Sequence, residues 1–283
     1  MARIFDLQRF FSERAPAMTR RFPSGSFHLL RVLMHERRIN RAISQLSGCN
    51  AAGFSEGVLR RLGIRVEVEG LEYLRQTPRL VIAANHPTGG VEGFVLIATL
   101  LRATGSLKLP ANEVLAEVPA LRPHVVGLDR YRGNAGAGGP FAEAFEGDET
   151  VLVFPAGRTA RMRGKRLHEY PWLKSFVTHA RRSNRQICPV WVSGRNTRRF
   201  YAVHKLRRLL GIRLNLEMLL LPDELFHRRG ECIQVRIGPP RHPTSHNLQT
   251  DAKYAQAIQA EVEALAPAEN SYASPPQAGV PRP

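Results

Sequence analysis

Residues 81–93 read Val81-Ile82-Ala83-Ala84-Asn85-His86-Pro87-Thr88-Gly89-Gly90-Val91-Glu92-Gly93, and their order decides the fold class. A short apolar run from Leu80 to Ala84 ends in Asn85-His86-Pro87. A Gly89-Gly90 pair and Glu92 follow, and then an apolar segment from about Phe94 to Arg102 that predicts a helix. Strand, turn and helix in that order are how α/β proteins present reactive groups at the carboxyl end of a strand. Asn85 and Pro87 flank His86, so the backbone there reads as non-helical. A neutral imidazole accepts a proton from a hydroxyl when a carboxylate holds its far nitrogen. Glu92 is the nearby acid. Six residues of regular helix amount to about 240° of rotation, which would face the two side chains apart. The pairing therefore requires the diglycine turn. The same residues also suit a simpler arrangement, a strand end followed by a solvated acid favoured by the helix dipole.

Outward from this stretch, short β-branched or alternating runs alternate with helical patterns. Strands are predicted at 64–68, 80–84, 107–109, 125–128, 150–154, 187–192 and 232–237. Helices are predicted at 57–62, 71–75, 94–102, 141–145, 172–181, 197–210, 222–228 and 248–265, with a helical turn at 113–117. The alternation predicts an α/β fold, layered, with a mostly parallel central sheet flanked by helices. Before it lies an N-terminal basic helical pair, at about 4–11 and 26–46. Residues 1–45 carry nine Arg against Asp6, Glu13 and Glu36. The expected organisation is a basic amphipathic helical region at 1–50, one domain at 51–266, and a disordered Pro-rich tail at 267–283. The Gly-rich segment through Gly139 lacks the spacing of a nucleotide loop and reads as surface.

The 283 residues hold 41 Lys+Arg against 24 Asp+Glu, a formal charge of +17, and 43% are hydrophobic. Such an excess of base implies an anionic partner: a nucleic acid, an anionic membrane surface or a phosphate-bearing substrate. Only five of the basic residues are Lys, and Arg favours bidentate contact with phosphate. Aromatics are 7% and are not interleaved with the basic clusters, which disfavours stacking on single-stranded nucleic acid. No apolar run approaches the ~18 residues that span a bilayer, and Met1–Phe11 lacks the apolar core of a signal peptide. The expectation is a cytoplasmic protein held peripherally at the inner face of the membrane, with the two basic helices in contact with it. Cys49, Cys188 and Cys232 are widely spaced and odd in number; Cys188 and Cys232 read as buried thiols in a reducing compartment. No His-Glu-x-x-His zinc site and no Gly-x-Ser-x-Gly nucleophile elbow is present, so neither a metal nor a cofactor is expected.

At this point the sequence resembles a known family. Asn-His-Pro-Thr-Gly-Gly-Val-Glu-Gly is similar to the first block of the glycerolipid acyltransferases, the superfamily containing 1-acylglycerol-3-phosphate acyltransferase. That block usually has four residues between Asn-His and an Asp; five intervene here, and Glu92 stands in place of Asp. The variant resembles the hemolysin-like branch, whose block runs His-Pro-x-Gly-Gly-x-Asp/Glu-Gly. Three further stretches resemble later blocks in the same order: Val126-Gly127-Leu128-Asp129-Arg130, Val153-Phe154-Pro155-Ala156-Gly157-Arg158, and Ile187-Cys188-Pro189-Val190. The likeness continues through Gly194-Arg195-Asn196-Thr197 and Leu221–Leu225, and covers about residues 39–240.

The resemblance implies direct transfer of a fatty acyl group from an acyl-CoA or acyl-carrier-protein thioester to the hydroxyl of a lysolipid. His86 would be the general base and Glu92 its partner. Arg130 and Arg158 would hold an anionic headgroup, with Gly157, Thr159 and Lys174 as further substrate-binding positions and Arg161 and Arg163 adding to the field. Backbone N–H groups near Gly157 or Gly89-Gly90 would face the oxyanion. The chain departs from the pattern at Ala156, where the third block usually has Glu, and Arg158 stands at the usual Thr position, with Thr159 and Arg161 as rivals for the block's arginine. These departures bear on the acceptor: a lysophosphatidic-acid-like lipid, or a lyso-aminolipid such as lyso-ornithine lipid. The rival expectation is a non-catalytic basic protein that binds membrane or nucleic acid.

Overall fold

The computed structural model describes residues 4–14, 25–111, 113–127, 139–164, 166–212, 215–243 and 250–267. Arg130, most of the Gly-rich segment before Gly139 and the Pro-rich tail beyond residue 267 lie outside them. The chain runs α1 (Leu7–Arg14), α2 (Ser26–Leu33), α3 (Glu36–Gln45), α4 (Ala51–Arg61), β1 (Arg65–Glu69), α5 (Glu72–Gln76), β2 (Val81–Ala84), α6 (Val91–Thr104), β3 (Leu107–Ala111), β4 (Val125–Gly127), α7 (Pro140–Glu146), β5 (Thr150–Val153), β6 (Arg161–Arg163), β7 (Arg166–His168), α8 (Ser175–Arg182), β8 (Ile187–Val192), α9 (Arg198–Leu209), α10 (Leu221–His227), β9 (Cys232–Ile237) and α11 (Asp251–Ala264).

Seven strands form the central sheet in the order β1-β9-β8-β2-β5-β3-β4. Neighbours are parallel except β8 and β9. The predicted class, a layered α/β fold on a mostly parallel sheet, is the one observed. β2 lies in the middle, hydrogen-bonded to β8 on one side and β5 on the other, and all four of its residues are fully buried. A strand covered on both faces reads as a continuous apolar run rather than an alternating one, as Val81–Ala84 does. The period of two still sorts its side chains. Ile82 and Ala84 join Phe54, Leu59, Leu96 and Val190 on one face, whereas Val81 and Ala83 join Val151, Phe176, Trp191 and Ile258 on the other. Thus α4 and α6 cover one side of the sheet, and α7, α8 and α11 the other.

The second predicted N-terminal helix is two helices. His35 sits between them in the left-handed region, at φ 53°. Its ring explains the break: His35 Nε2 lies 2.7 Å from Asp223 Oδ1, and the ring meets Phe226 edge-on at 5.0 Å. The N-terminal helices also pack on the domain. Phe5, Leu7 and Ile43 are buried in the same core as β2, Asn40 Oδ1 accepts from the Ile4 and Phe5 N–H groups, and buried Glu36 accepts from Leu7 N–H. Each such apolar side chain contributes about 1.5–3 kcal/mol on burial. An exposed ion pair contributes ~0–1 kcal/mol, so packing, not charge, holds this region.

Two other expectations differ. The helix predicted at 57–62 begins at Ala51. Asn50 caps it by accepting from Gly53 N–H at 2.9 Å. Its Gly57 obscures the helical pattern, yet the glycine has a packing reason: a Cβ there would stand 2.5 Å from Leu46 Cδ2. Cys188 is buried as predicted, but Cys232 is exposed, because β9 turns Ile233, Val235 and Ile237 to the core and its first residue faces out.

Candidate active site

The carboxyl end of β2 delivers Asn85 and His86 to the middle of the sheet's upper edge, where open α/β sheets hold their ligands. Asn85 is buried and extends the ladder with its side chain. Its Nδ2 donates to Val192 O at 2.8 Å and its Oδ1 accepts from Val192 N–H at 2.6 Å. This clamp ties the strand end to β8 and fixes where the next residue emerges. The His86 main chain is held on both sides: its N–H donates to Glu169 Oε1, and its carbonyl accepts from Ala160 N–H at 2.9 Å. The ring stacks on Phe154, with centroids 4.3 Å apart and planes at 30°.

The turn then folds back as the diglycine requires. Gly89 has φ 84°, and a Cβ there would collide with Thr159 Cγ2, so both backbone and space call for glycine. The fold-back brings Glu92, fully buried in the first turn of α6, to His86: Nδ1 and Oε1 are 3.1 Å apart. The angle at this contact is off the hydrogen-bond line, so Nδ1 counts as unpartnered by strict geometry although the distance is short. Such contacts align when substrate fills a site. Glu92 Oε1 accepts from the N–H groups of Thr88 (2.9 Å) and Gly89 (2.6 Å). Oε2 accepts from Gly90 N–H (3.1 Å) and from the Thr88 hydroxyl. Three successive backbone donors at a helix start make a nest for a negative charge. Burial alone would raise the Glu92 pKa; the His86 hydrogen bond and charge, with Thr88 and Gly89, outweigh it and bring the group to about 2. Glu92 is therefore a permanent anion behind the imidazole. With Nδ1 turned to Glu92, Nε2 is the nitrogen left to take a proton, and the His86 side chain is 22% exposed.

The other predicted positions surround this pair unevenly. Gly157 is exposed at φ 61°, and its N–H is committed to Phe154 O at 2.9 Å; the N–H groups of Gly89 and Gly90 are committed to Glu92. None of the three is free in this state to face an oxyanion. Arg158 is exposed, with its guanidinium 5.4 Å from the Tyr170 ring centroid. Thr159 is buried against Gly89, and its hydroxyl accepts from Arg161. Arg161 is buried too. It bonds Glu217 at 3.0 Å, and the same carboxylate meets His204 and Arg207, each at 2.9 Å. Burial raises Glu217, and the His204 hydrogen bond, its own backbone and Arg161 overcome this to bring it to about 2. This cluster is a strut that ties the β6–β7 hairpin to α9. Lys174 is exposed at the start of α8.

Sequence reading missed Glu169. It joins the His86 N–H to the Trp172 indole, which donates to Oε2 at 2.7 Å. Burial pushes its carboxyl up to about 7, against the pull of those two donors. The available signal was its isolation, as the one acid among nine basic residues between Arg158 and Arg185. The β6–β7 hairpin was missed as well, since strands made of Arg-Met-Arg and Arg-Leu-His lack an apolar pattern.

Comparison with known proteins places the chain in a family. The family model described as acyltransferase matches residues 9–264, so the chain belongs to that acyltransferase family. Among curated proteins, the chain is similar to the lyso-glycine lipid O-acyltransferase of Bacteroides thetaiotaomicron, with 28% identity over 258 residues, 90% of this chain and 95% of that protein. It is also similar to the lyso-glycine lipid O-acyltransferase of Phocaeicola vulgatus, at 26% identity over 90% of this chain and 92% of that protein. Among solved structures, the 1-acyl-sn-glycerophosphate acyltransferase PlsC of Thermotoga maritima matches with a TM-score of 0.47 and 16% identity, over 84% of this chain and 95% of that one. The chain is accordingly an enzyme of acyl transfer, and the rival expectation of a non-catalytic basic protein falls.

Proposed function

We propose that the enzyme moves a fatty acyl group from an acyl-CoA or acyl-carrier-protein thioester to the hydroxyl of a lysolipid, with an amino-acid lipid as the favoured acceptor. His86 takes the hydroxyl proton as the oxygen attacks the thioester carbonyl, and the imidazolium gives that proton to the leaving thiolate as the tetrahedral adduct collapses. Glu92 orients the imidazole and balances its charge. The observation that carries this reading is the 3.1 Å approach of His86 to a buried carboxylate that His86, the Thr88 side chain and the Gly89 N–H keep ionised. The relatives named for lyso-glycine lipids support the acceptor class. Arg158, exposed beside Tyr170, is available to an anionic substrate group, with Gly157 and Thr159 shaping the turn beneath it. Arg130 and Lys174 are the further cations of this proposal. The test is release of free thiol from palmitoyl-CoA with a panel of lysolipids. Turnover with lyso-amino-acid lipid, exceeding that with lysophosphatidic acid, is expected; no thiol release with any acceptor overturns the reading.

We infer further that the enzyme works at an anionic membrane surface. Among the described residues no helix is long and apolar enough to cross a membrane. Leu29 (70% exposed) and Val32 on α2, and Leu206, Leu209 (82%) and Leu210 at the end of α9, stand in solvent beside Arg and Lys. Exposed leucines with basic neighbours suit interfacial insertion, where each basic residue near an anionic surface adds about 1 kcal/mol. Flotation with vesicles containing phosphatidylglycerol is expected to carry the protein, and Leu209→Asp with Leu210→Asp to weaken binding severalfold. Protein that stays unbound at low salt overturns this inference.

A further inference from the structure

The main chain of His86 offers two handles, its N–H and its carbonyl, and the residue after it is a proline with no N–H to add. One hairpin grips both. β6 and β7 pair Arg161 with His168, so Ala160 and Glu169 flank that pair at the base of the hairpin. Ala160 N–H donates to the His86 carbonyl at 2.9 Å, and Glu169 Oε1 accepts from the His86 N–H. The peptide groups on either side of His86 are planar. Holding both fixes the direction of its Cα–Cβ bond, and with it the path of the ring toward Glu92. The carboxylate also takes over where the sheet stops. β5 pairs Val153 with Ala83 and ends there, and beyond it the His86 N–H turns to a side chain.

Glu169 is itself held. Its Oε2 accepts from Trp172 Nε1 at 2.7 Å. Trp172 is buried, meets Phe176 edge-on, and donates its own N–H to Gln259 Oε1 of α11 at 3.0 Å. The anchor therefore runs from the His86 turn into the core that α8 and α11 cover. Glu169 is not a brace of the kind Glu217 is, which binds two arginines and a histidine. It faces His86 and, from α11, Glu263, and among the described residues no Lys or Arg pairs with it. An acid whose burial pushes it up to about 7, with no cation to offset that, is out of place as a structural ion pair and in place beside reacting groups.

Resting on the reading of His86 as the base, we propose that Glu169 is a positioning residue of the transfer reaction: through the His86 N–H it sets the direction in which the imidazole meets the acceptor hydroxyl. It acts through His86, not on the substrate. Glu92 holds the far nitrogen of the ring and Glu169 holds the main chain from which the ring springs, so two acids from separate parts of the chain fix one base. A misplacement of about 1 Å at such a group costs about 10²-fold in rate.

The two donors on Glu169 supply the test. A carboxylate accepts through both oxygens, whereas Gln offers one oxygen and one NH2. In Glu169→Gln the NH2 must face either the His86 N–H or the Trp172 indole, so the two donors compete for one acceptor. In a Trp172→Phe background the competing donor is gone, and the Gln oxygen is left to the His86 N–H. Glu169→Gln is expected to lower kcat about tenfold or more in the parent, with the KM of donor and acceptor kept within about twofold. In the Trp172→Phe background the same substitution is expected to lower kcat by less than about threefold. Glu169→Ala, which has no acceptor, is expected to lower kcat about tenfold or more in both backgrounds. Circular dichroism and melting curves confine the comparison to folded chains. A second readout needs no turnover. The proton on His86 Nδ1 faces Glu92 and is shielded from solvent, so it gives a downfield proton NMR signal, identified by its loss in His86→Ala. That signal is expected to shift or broaden in Glu169→Gln, and to match that of Trp172→Phe when both substitutions are present. Unaltered kcat in folded Glu169→Gln, an unmoved imidazole signal, or equal losses in the two backgrounds overturns the proposal. A parent chain that releases no thiol with any lysolipid refutes the transfer reading instead, and the imidazole signal then decides the positioning role alone.

Discussion

His86→Ala is expected to cut kcat for transfer to a lysolipid by about 10²–10⁴-fold, the range in which a positioned general base contributes, with the fold intact. The substitution is clean because the turn is held by main-chain bonds. The His86 N–H to Glu169 and its carbonyl from Ala160 survive the loss of the ring, and Asn85 keeps its two bonds to Val192. What goes is the imidazole stacked on Phe154 and its contact with Glu92. No serine or cysteine nucleophile stands among Asn85–Glu92, so under the proposed direct transfer the imidazole is the group that takes the hydroxyl proton. Thiol release by purified protein, with circular dichroism and a melting curve as the fold control, checks it. A folded His86→Ala enzyme that turns over at the parent rate would remove His86 from the mechanism.

The strand end was legible in the sequence because every local feature there agrees. An apolar run, a Pro that stops the ladder, a Gly-Gly pair and an acid at a helix start all mark the same strand, turn and helix, although the acid alone suits a solvated first turn as well as a pairing with His86. The neighbouring wall was not legible. Glu169 reaches His86 from 83 residues away, and Asn196 reaches Thr88 across 108. Contacts of that span leave no periodic trace. In the sequence Arg161 reads as a cation adding to the substrate field, yet it is buried on Glu217 together with His204 and Arg207. A charge count cannot separate a solvated arginine from one that braces a hairpin. The break at His35 has the same origin, since nothing local separates α2 from α3 and the left-handed turn is fixed by Asp223 and Phe226.

The nest around Glu92 yields the second large effect, in which one substitution changes rate and acid stability together. Glu92→Gln keeps the shape of the side chain but replaces one acceptor oxygen with a donor. Oε1 accepts from Thr88 N–H and Gly89 N–H, and Oε2 from Gly90 N–H and the Thr88 hydroxyl. Whichever way the amide turns, its NH2 meets fixed N–H groups and leaves buried donors unmet. The imidazole also loses the anion that selects its tautomer, and kcat is expected to fall by roughly 10³-fold or more. The stability effect has a definite sign. Glu92 is lowered in the folded chain to about 2 from the usual 4.5, so its contribution is fully present above pH 4.5 and is lost as pH falls through 2. A shift of that size corresponds to about 3 kcal/mol at neutral pH. Glu92→Gln is therefore expected to melt well below the parent protein at pH 7, and the gap should narrow as pH is lowered from about 4.5 toward 3. Thermal unfolding of both proteins across pH 3–7, beside kcat at pH 7, measures the two effects. A gap that stays constant with pH would mean that the Glu92 charge is not stabilised by His86 and the turn, and unaltered kcat would mean that it does not serve His86.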